Sequence, residues 1–185
     1  MKNEKKDVEM KKCALVIGHK KNSAGASNEA SGIDEFTYND ALALEIEAQI
    51  EDIEVQRIYR RTYETLPSDI NGYDPDFIIS LHCNAFNTQA SGTETLYYHK
   101  STRSKEIAEI LNTKIVGALG LKDRGIKAKS VEDRGGYLLK YTNAPCVIAE
   151  PFFIDNEDDF TTANVNRKML VEAYVESIKE IANIV

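Results

Sequence analysis

The chain has 185 residues, of which 42% are hydrophobic and 29% charged, the balance of a globular domain rather than a disordered or fibrous chain. A formal charge of −7 argues against nucleic acid or an anionic lipid surface as the main partner. Cys13, Cys83 and Cys146 are too few and too scattered for a disulfide framework, and they fit a reducing compartment.

The first twelve residues, MKNEKKDVEMKK, mix both signs of charge. The apolar run behind them, 13–17, is shorter than the about 7–15 residues of a signal-peptide core. No stretch approaches the roughly 20 apolar residues of a spanning helix. The expectation is therefore a protein without membrane insertion, held in the cytoplasm until it is released, and a monomer or weak homodimer. Residues 1–11 read as a flexible tail and 12–185 as one domain, since no repeat or linker divides them.

The elements alternate along the chain. CALVI (13–17) is a continuous apolar run that reads as a buried strand closed by Gly18. After a polar loop, Tyr38, Leu42 and Ile46 stripe a helix expected over about 37–51, opened by Thr37 with Asp40 or by Ser31 with Asp34. EVQRIYR (54–60) alternates as a second strand, Asp74-Pro75 marks a turn, and FIISLH (77–82) is another buried strand. GTETLYYH (92–99) reads as an edge or half-exposed strand. A helix over 101–119 carries Ile107, Leu111, Ile115 and Leu119, with Gly120 just past its end. Residues 121–143 read as irregular, with a short strand at 137–139. PCVIAE (145–150) is buried again, and a helix over 165–184 closes the chain. Buried strands separated by amphipathic helices predict an α/β sandwich around a mostly parallel sheet.

In such sheets, ligands gather beyond the carboxyl ends of the strands. His19 follows the first apolar run, His82 ends FIISL, and Glu150 ends CVIA. Glu35 stands at the mouth of the first helix, near the same rim. Two imidazoles and a carboxylate with one open position form a catalytic zinc sphere. A second, unligated carboxylate beside it would move the proton of a zinc-activated water, so the residues read as a metal-assisted hydrolase.

Each residue also has a plainer role. An acidic residue in a first helical turn suits the helix dipole, which accounts for Asp34 or Glu35 without a metal, and Asp34 and Glu29 remain alternatives to Glu35 as the carboxylate ligand. His99, after an expected edge strand, reads as an ordinary surface histidine. Cys83 should point away from His82, and Cys146 lies one strand length from Glu150, so both read as core. Lys20, Arg124 and Arg134 are either carboxylate contacts or solvated side chains. Tyr137 is either a sugar-stacking or a core tyrosine.

V-I-G-H (16–19), G-I-D-E with its helix (32–35), S-L-H-C-N-A (80–85) and A-P-C-V-I-A-E-P-F-F-I-D-N (144–156) resemble the zinc-dependent N-acetylmuramoyl-L-alanine amidases of the amidase-3 family. The likeness runs over roughly 12–185, and G-T-E-T-L-Y-Y (92–98) and D-R-G-I-K (123–127) add to it. It implies a single three-layer sandwich with a mostly parallel mixed sheet flanked by helices. It also implies one Zn2+ per chain on His19, Glu35 and His82, with Glu150 as the catalytic carboxylate. The implied partner is peptidoglycan, cut between N-acetylmuramic acid and L-alanine. Lys20, Asn84, Arg124 and Tyr137 are the substrate-contact candidates.

Two departures stand out. K-K-N-S-A-G-A-S (20–27) replaces the glycine-rich tract usual after the first histidine, and Pro151-Phe152 follows Glu150. A compact wall hydrolase of this kind looks most like a phage endolysin, with a remodelling or sporulation amidase as the second setting. A zinc carboxypeptidase acting on stem peptides and a zinc-retaining wall-binding module are the alternative functions.

Overall fold

The apolar runs form the middle of a six-stranded sheet in the computed structural model, which describes residues 10–185. The chain order is β1 (Lys12–Ile17), α1 (Glu35–Glu47), β2 (Glu54–Tyr59), α2 (Leu66–Tyr73), β3 (Phe77–Leu81) and β4 (Thr93–Tyr98). It continues with α3 (Thr102–Leu119), β5 (Asp123–Lys129), α4 (Gly136–Tyr141), β6 (Cys146–Glu150), α5 (Glu157–Val165) and α6 (Arg167–Ala182). The strand order is β2-β1-β3-β6-β4-β5. All neighbours are parallel except β4 and β6, which run antiparallel.

β1, β3 and β6 are central because their side chains are apolar on both faces. Alternation sends Leu15, Ile79 and Val147 into a core with Leu42 of α1, Leu111 of α3 and Tyr174 of α6. Ala14, Ile78 and Ile148 point the other way, onto Ile70 of α2 and Leu138 of α4. The expected three layers are thus present. The helices start and stop where local chemistry directs. Asp34 accepts from the Thr37 N–H at 2.7 Å to cap α1, and Ser101 accepts from Ser104 N–H to cap α3, which Gly120 closes at φ 65°.

Several expectations are corrected. β4 is an interior strand, because β5 pairs along its outer side. β5 itself lies in the stretch expected to be irregular; its charged, half-exposed DRGIKAK pattern is that of the true edge. Residues 137–139 are helical within α4, not a strand. The closing helix is α6, and a further helix that was not expected, α5, precedes it across Asn166. α2 was hidden by its Pro, Asn and Gly, and it ends at Asp74 in the left-handed conformation, φ 55°. Of the expected tail, residues 1–9 lie outside the described residues; Lys11 is already tied to Asp76 by a 2.8 Å ion pair. No helix among the described residues is long and apolar enough to cross a membrane.

Candidate metal centre and its cleft

The parallel register aligns Ile17, Leu81 and Ala149 in one row across β1, β3 and β6. The residues after that row emerge together at the carboxyl rim of the sheet. Gly18 N–H donates to Leu81 O at 2.9 Å. A Cβ at Gly18 would lie 2.4 Å from that carbonyl and 2.7 Å from His82 Cε1, so only glycine lets the two strands and the imidazole approach. His19 then turns the chain with φ 64°.

Glu35, the first residue of α1, is 1% exposed. Its Oε1 accepts from Cys83 N–H at 2.9 Å and its Oε2 from Ala26 N–H at 3.1 Å. Two backbone donors therefore aim the carboxylate. His19 Nε2 lies 3.1 Å from Oε2, and His82 Nδ1 lies 3.4 Å from Oε1. One nitrogen from each histidine and a Glu35 oxygen all fall within 4.8 Å of one another. Gly25, at φ 86°, completes the cradle, since a Cβ there would meet Glu35 Oε2 at 2.5 Å and His19 Cδ2 at 2.8 Å.

The electrostatics suit a cation. Burial pushes the Glu35 carboxyl up, but the two imidazoles outweigh it and hold the group well below the usual carboxylate range. Burial lowers the His82 pKa, which favours the neutral, metal-ligating imidazole. His19 Nε2 is buried and makes no hydrogen bond, despite its closeness to Oε2. Ligand atoms about 2.0–2.1 Å from a tetrahedral zinc stand about 3.4 Å apart, close to the two separations seen here. Two imidazole nitrogens and one carboxylate oxygen therefore fit this metal.

Of the three acidic alternatives, the fold brings Glu35 to the histidines. Asp34 caps α1, and Glu29 is exposed. Cys83 points into the opposite core, with Asn39 Nδ2 3.8 Å from its sulfur. Cys146 is buried beside Ser104. His99 is exposed and contacts the Lys129 carbonyl, away from the centre.

Glu150 closes β6 on the same sheet face as His82 and is 7% exposed. Its partner across the antiparallel pair is Glu94. Burial, and then the Glu94 carboxylate, push the Glu150 carboxyl up to about 8, against the opposing pull of Arg134. Glu94 is anchored by Asn84 Nδ2 at 2.9 Å and Arg124 Nε at 2.7 Å. Arg124 also lies over the Phe153 ring, 4.9 Å from its centroid. Asn84 and Arg124, two of the substrate-contact candidates, thus hold Glu94 in place.

From this rim a cleft of about 120 Å³ runs down between the sheet and the pair α2 and α4. His19, His82 and Glu150 stand at its mouth, with Val16, Ser80, Leu96 and Ile148 on its sheet wall. Leu66 and Leu138 close the helical side, and Arg60, Tyr63 and Arg134 also line it. Lys20 and Tyr137 do not. Lys20 pairs its backbone with Ser23. Tyr137 donates from its hydroxyl to Glu64 O at 3.1 Å and packs on Tyr63 at 5.6 Å, so it supports the tyrosine that does line the cleft. Arg60 was missed because it read as the last residue of an exposed, alternating strand, and Tyr63 because it follows β2 in a stretch with no periodicity. Glu94 was missed although strand alternation places it on the face of Leu96; only the pairing of β4 with β6 sets it against Glu150.

This architecture has known counterparts. An N-acetylmuramoyl-L-alanine amidase from Clostridium difficile 630 superposes with a TM-score of 0.82 at 23% identity, covering 94% of this chain and 97% of that one. That likeness speaks to the fold. The catalytic domain of the CD27L endolysin targeting Clostridia difficile superposes with a TM-score of 0.76 at 28% identity, covering 93% of this chain and 98% of that one. The N-acetylmuramoyl-L-alanine amidase LytC of Bacillus subtilis is 34% identical over 87 residues, 45% of this chain but 16% of its own length. The uncharacterized protein YqiI of the same organism is 30% identical over 100 residues, 53% of this chain and 46% of its own length. The chain thus spans less than half of either curated relative. The family model described as N-acetylmuramoyl-L-alanine amidase matches residues 13–180, nearly the whole domain, and the chain belongs to that amidase-3 family.

Proposed function

We propose that the protein hydrolyses the amide between N-acetylmuramic acid and L-alanine in peptidoglycan. In this reading one zinc ion is held by His19, Glu35 and His82, and Glu150 acts as general acid and base. The observation that carries it is the convergence of three ligand atoms within 4.8 Å at the rim where Glu150 also emerges. When bound, zinc supplies a Lewis acid for the scissile carbonyl and makes water acidic enough to attack near neutral pH. The Ala26 and Cys83 amides keep the Glu35 oxygens turned towards the histidines. Glu150, with a pKa raised to about 8, is poised to take the proton of the attacking water and pass it to the departing alanine nitrogen. Glu94, tied to Asn84 and Arg124, limits where the Glu150 side chain can go.

End-group analysis of digested peptidoglycan tests the reading. New N-terminal alanine is expected, abolished by chelation and restored by zinc. New cuts within the stem peptide would instead mark a carboxypeptidase, and zinc binding without product a wall-binding module. Metal analysis of His82→Ala is expected to show loss of zinc; undiminished zinc would overturn the ligand assignment. The biological setting we propose is lysis by an endolysin, supported by likeness to the CD27L catalytic domain. Lysis of susceptible cells on adding the purified protein is the expected outcome, and walls remodelled without lysis would favour the other setting.

A further inference from the structure

Arg57, Arg61, Arg103, Arg124 and Arg167 each pair with a carboxylate. Arg60 and Arg134 form no ion pair among the described residues, and both line the cleft beside Glu150. In a chain with 30 acidic and 23 basic residues, two arginines left without a carboxylate partner at one cavity, Arg60 lying over the Tyr63 ring at 5.8 Å, are an available anion site. Guanidinium is the side chain best shaped for a carboxylate, which it can hold through two parallel hydrogen bonds.

A second observation lies deeper in the same cavity. Ser80 is fully buried on the cleft wall, and its hydroxyl has no hydrogen-bond partner. An unsatisfied buried hydroxyl is costly, and a ligand that reaches it relieves the cost. The rest of the wall is aliphatic, formed by Leu66, Leu96, Leu138 and Ile148. Such a wall offers little to the many hydroxyls of a sugar. Its about 120 Å³ suits on the order of half a dozen heavy atoms, since an engineered cavity of about 150 Å³ holds benzene. A short aliphatic stretch of peptide that ends in a carboxylate matches both the volume and the chemistry.

We propose that this cleft is a subsite for the leaving peptide, with Arg60 and Arg134 holding a free carboxylate carried by the residue after the alanine. The proposal rests on the amidase reading and adds to it a preference for an acidic over an amidated stem peptide. Lys20, Asn84, Arg124 and Tyr137 stand outside this subsite.

The test uses two muropeptides, N-acetylmuramoyl-L-alanyl-D-isoglutamine and its counterpart with a free α-carboxylate, both capped at the γ-carboxyl as the methylamide, and calorimetric binding of the two corresponding capped dipeptides to the zinc-loaded protein. The free acid is expected to be favoured by at least about tenfold in kcat/KM and in affinity, the scale of a charge-assisted hydrogen bond. In Arg60→Gln and in Arg134→Gln that ratio is expected to fall to within about twofold, with the loss mainly in KM. Arg103→Gln, on the far-off α3, serves as the control and keeps the ratio. Hydrolysis of both muropeptides with a ratio near one, or a ratio untouched by both substitutions, overturns the subsite and leaves the amidase reading standing. Carboxylate-dependent dipeptide binding without hydrolysis of either muropeptide does the reverse. Neither binding nor hydrolysis overturns both.

Discussion

On one face of the sheet lie α1, α3 and α6, with 13, 18 and 16 residues; on the other lie α2 and α4, with 8 and 6. The long helices cover their face fully and bury Leu15, Ile79, Val147 and Tyr174. The short pair leaves a cavity beneath the carboxyl rim, so Leu96 and Ile148 belong to a smaller core and, with Ser80, also border the cleft. The cluster of His19, Glu35 and His82 straddles this division. Glu35 comes from the well-packed side through α1, and its oxygens are fixed by two backbone amides. His82 and Glu150 come from the thin side, where substrate has room. One face supplies rigidity and the other supplies access, which is how a site can be both precise and open.

Neighbouring residues on β3 sharpen this contrast most. Ile79→Ala, on the thick face, is expected to cost about 3–4 kcal/mol in urea unfolding of the metal-free protein. Ser80→Ala, one residue on and facing the cleft, removes a hydroxyl without a partner. It should leave stability unchanged or raise it by about 1–2 kcal/mol. Equal losses at the two positions would mean that the faces are packed alike.

Next comes Glu150→Gln, expected to retain zinc and fold while losing at least about 10²-fold in kcat, or about 2.7 kcal/mol of barrier. Near-normal turnover in that folded variant would move the proton-transfer role elsewhere. Gly25→Ala tests the rigid side of the centre. Its φ of 86° and the 2.5 Å approach to Glu35 Oε2 predict a loss of about 2 kcal/mol in stability, together with weaker zinc retention in competition with a chelator. A variant that binds zinc as tightly as the parent would show that the cradle can give way.

A further expected effect is on pH dependence. Because the Glu150 carboxyl titrates near 8 in the folded protein and at about 4.3 in an unfolded chain, the folded state holds the extra proton between those values. Its contribution to stability is therefore full below the lower pKa and is lost as pH rises towards the upper one. Thermal unfolding of the metal-free protein at pH 5 and pH 8 should show Glu150→Gln losing on the order of 3 kcal/mol less than the parent over that interval. Identical slopes would mean that Glu150 is ionised throughout.

Much of this was legible in the chain. CALVI, FIISL and CVIA announce buried strands because no polar residue interrupts them, and the polar groups that end them must emerge at an edge. The order His19, Glu35, His82, Glu150 therefore suggested a single rim before any pairing was known. Gly120 and Ser101 marked the ends of α3 through backbone chemistry that acts within one turn. β5 was illegible because a charged edge strand borrows its stability from the neighbour it pairs with. α4 was illegible because six residues are too few to show a helical period.

The sequence by itself singled out the candidate residues and determined that His19, His82 and Glu150 stand at or just past the ends of strands, since hydrophobic runs and local caps act over a few residues. Only the tertiary structure decided what stands opposite them. The antiparallel pairing of β4 with β6 sets Glu94 against Glu150, 56 positions along the chain. The fold also brings Arg60 and Arg134, 74 positions apart, to one cleft beside Glu150. Those relations join residues far apart in sequence. They depend on strand order and register, which the packing of the whole sheet decides.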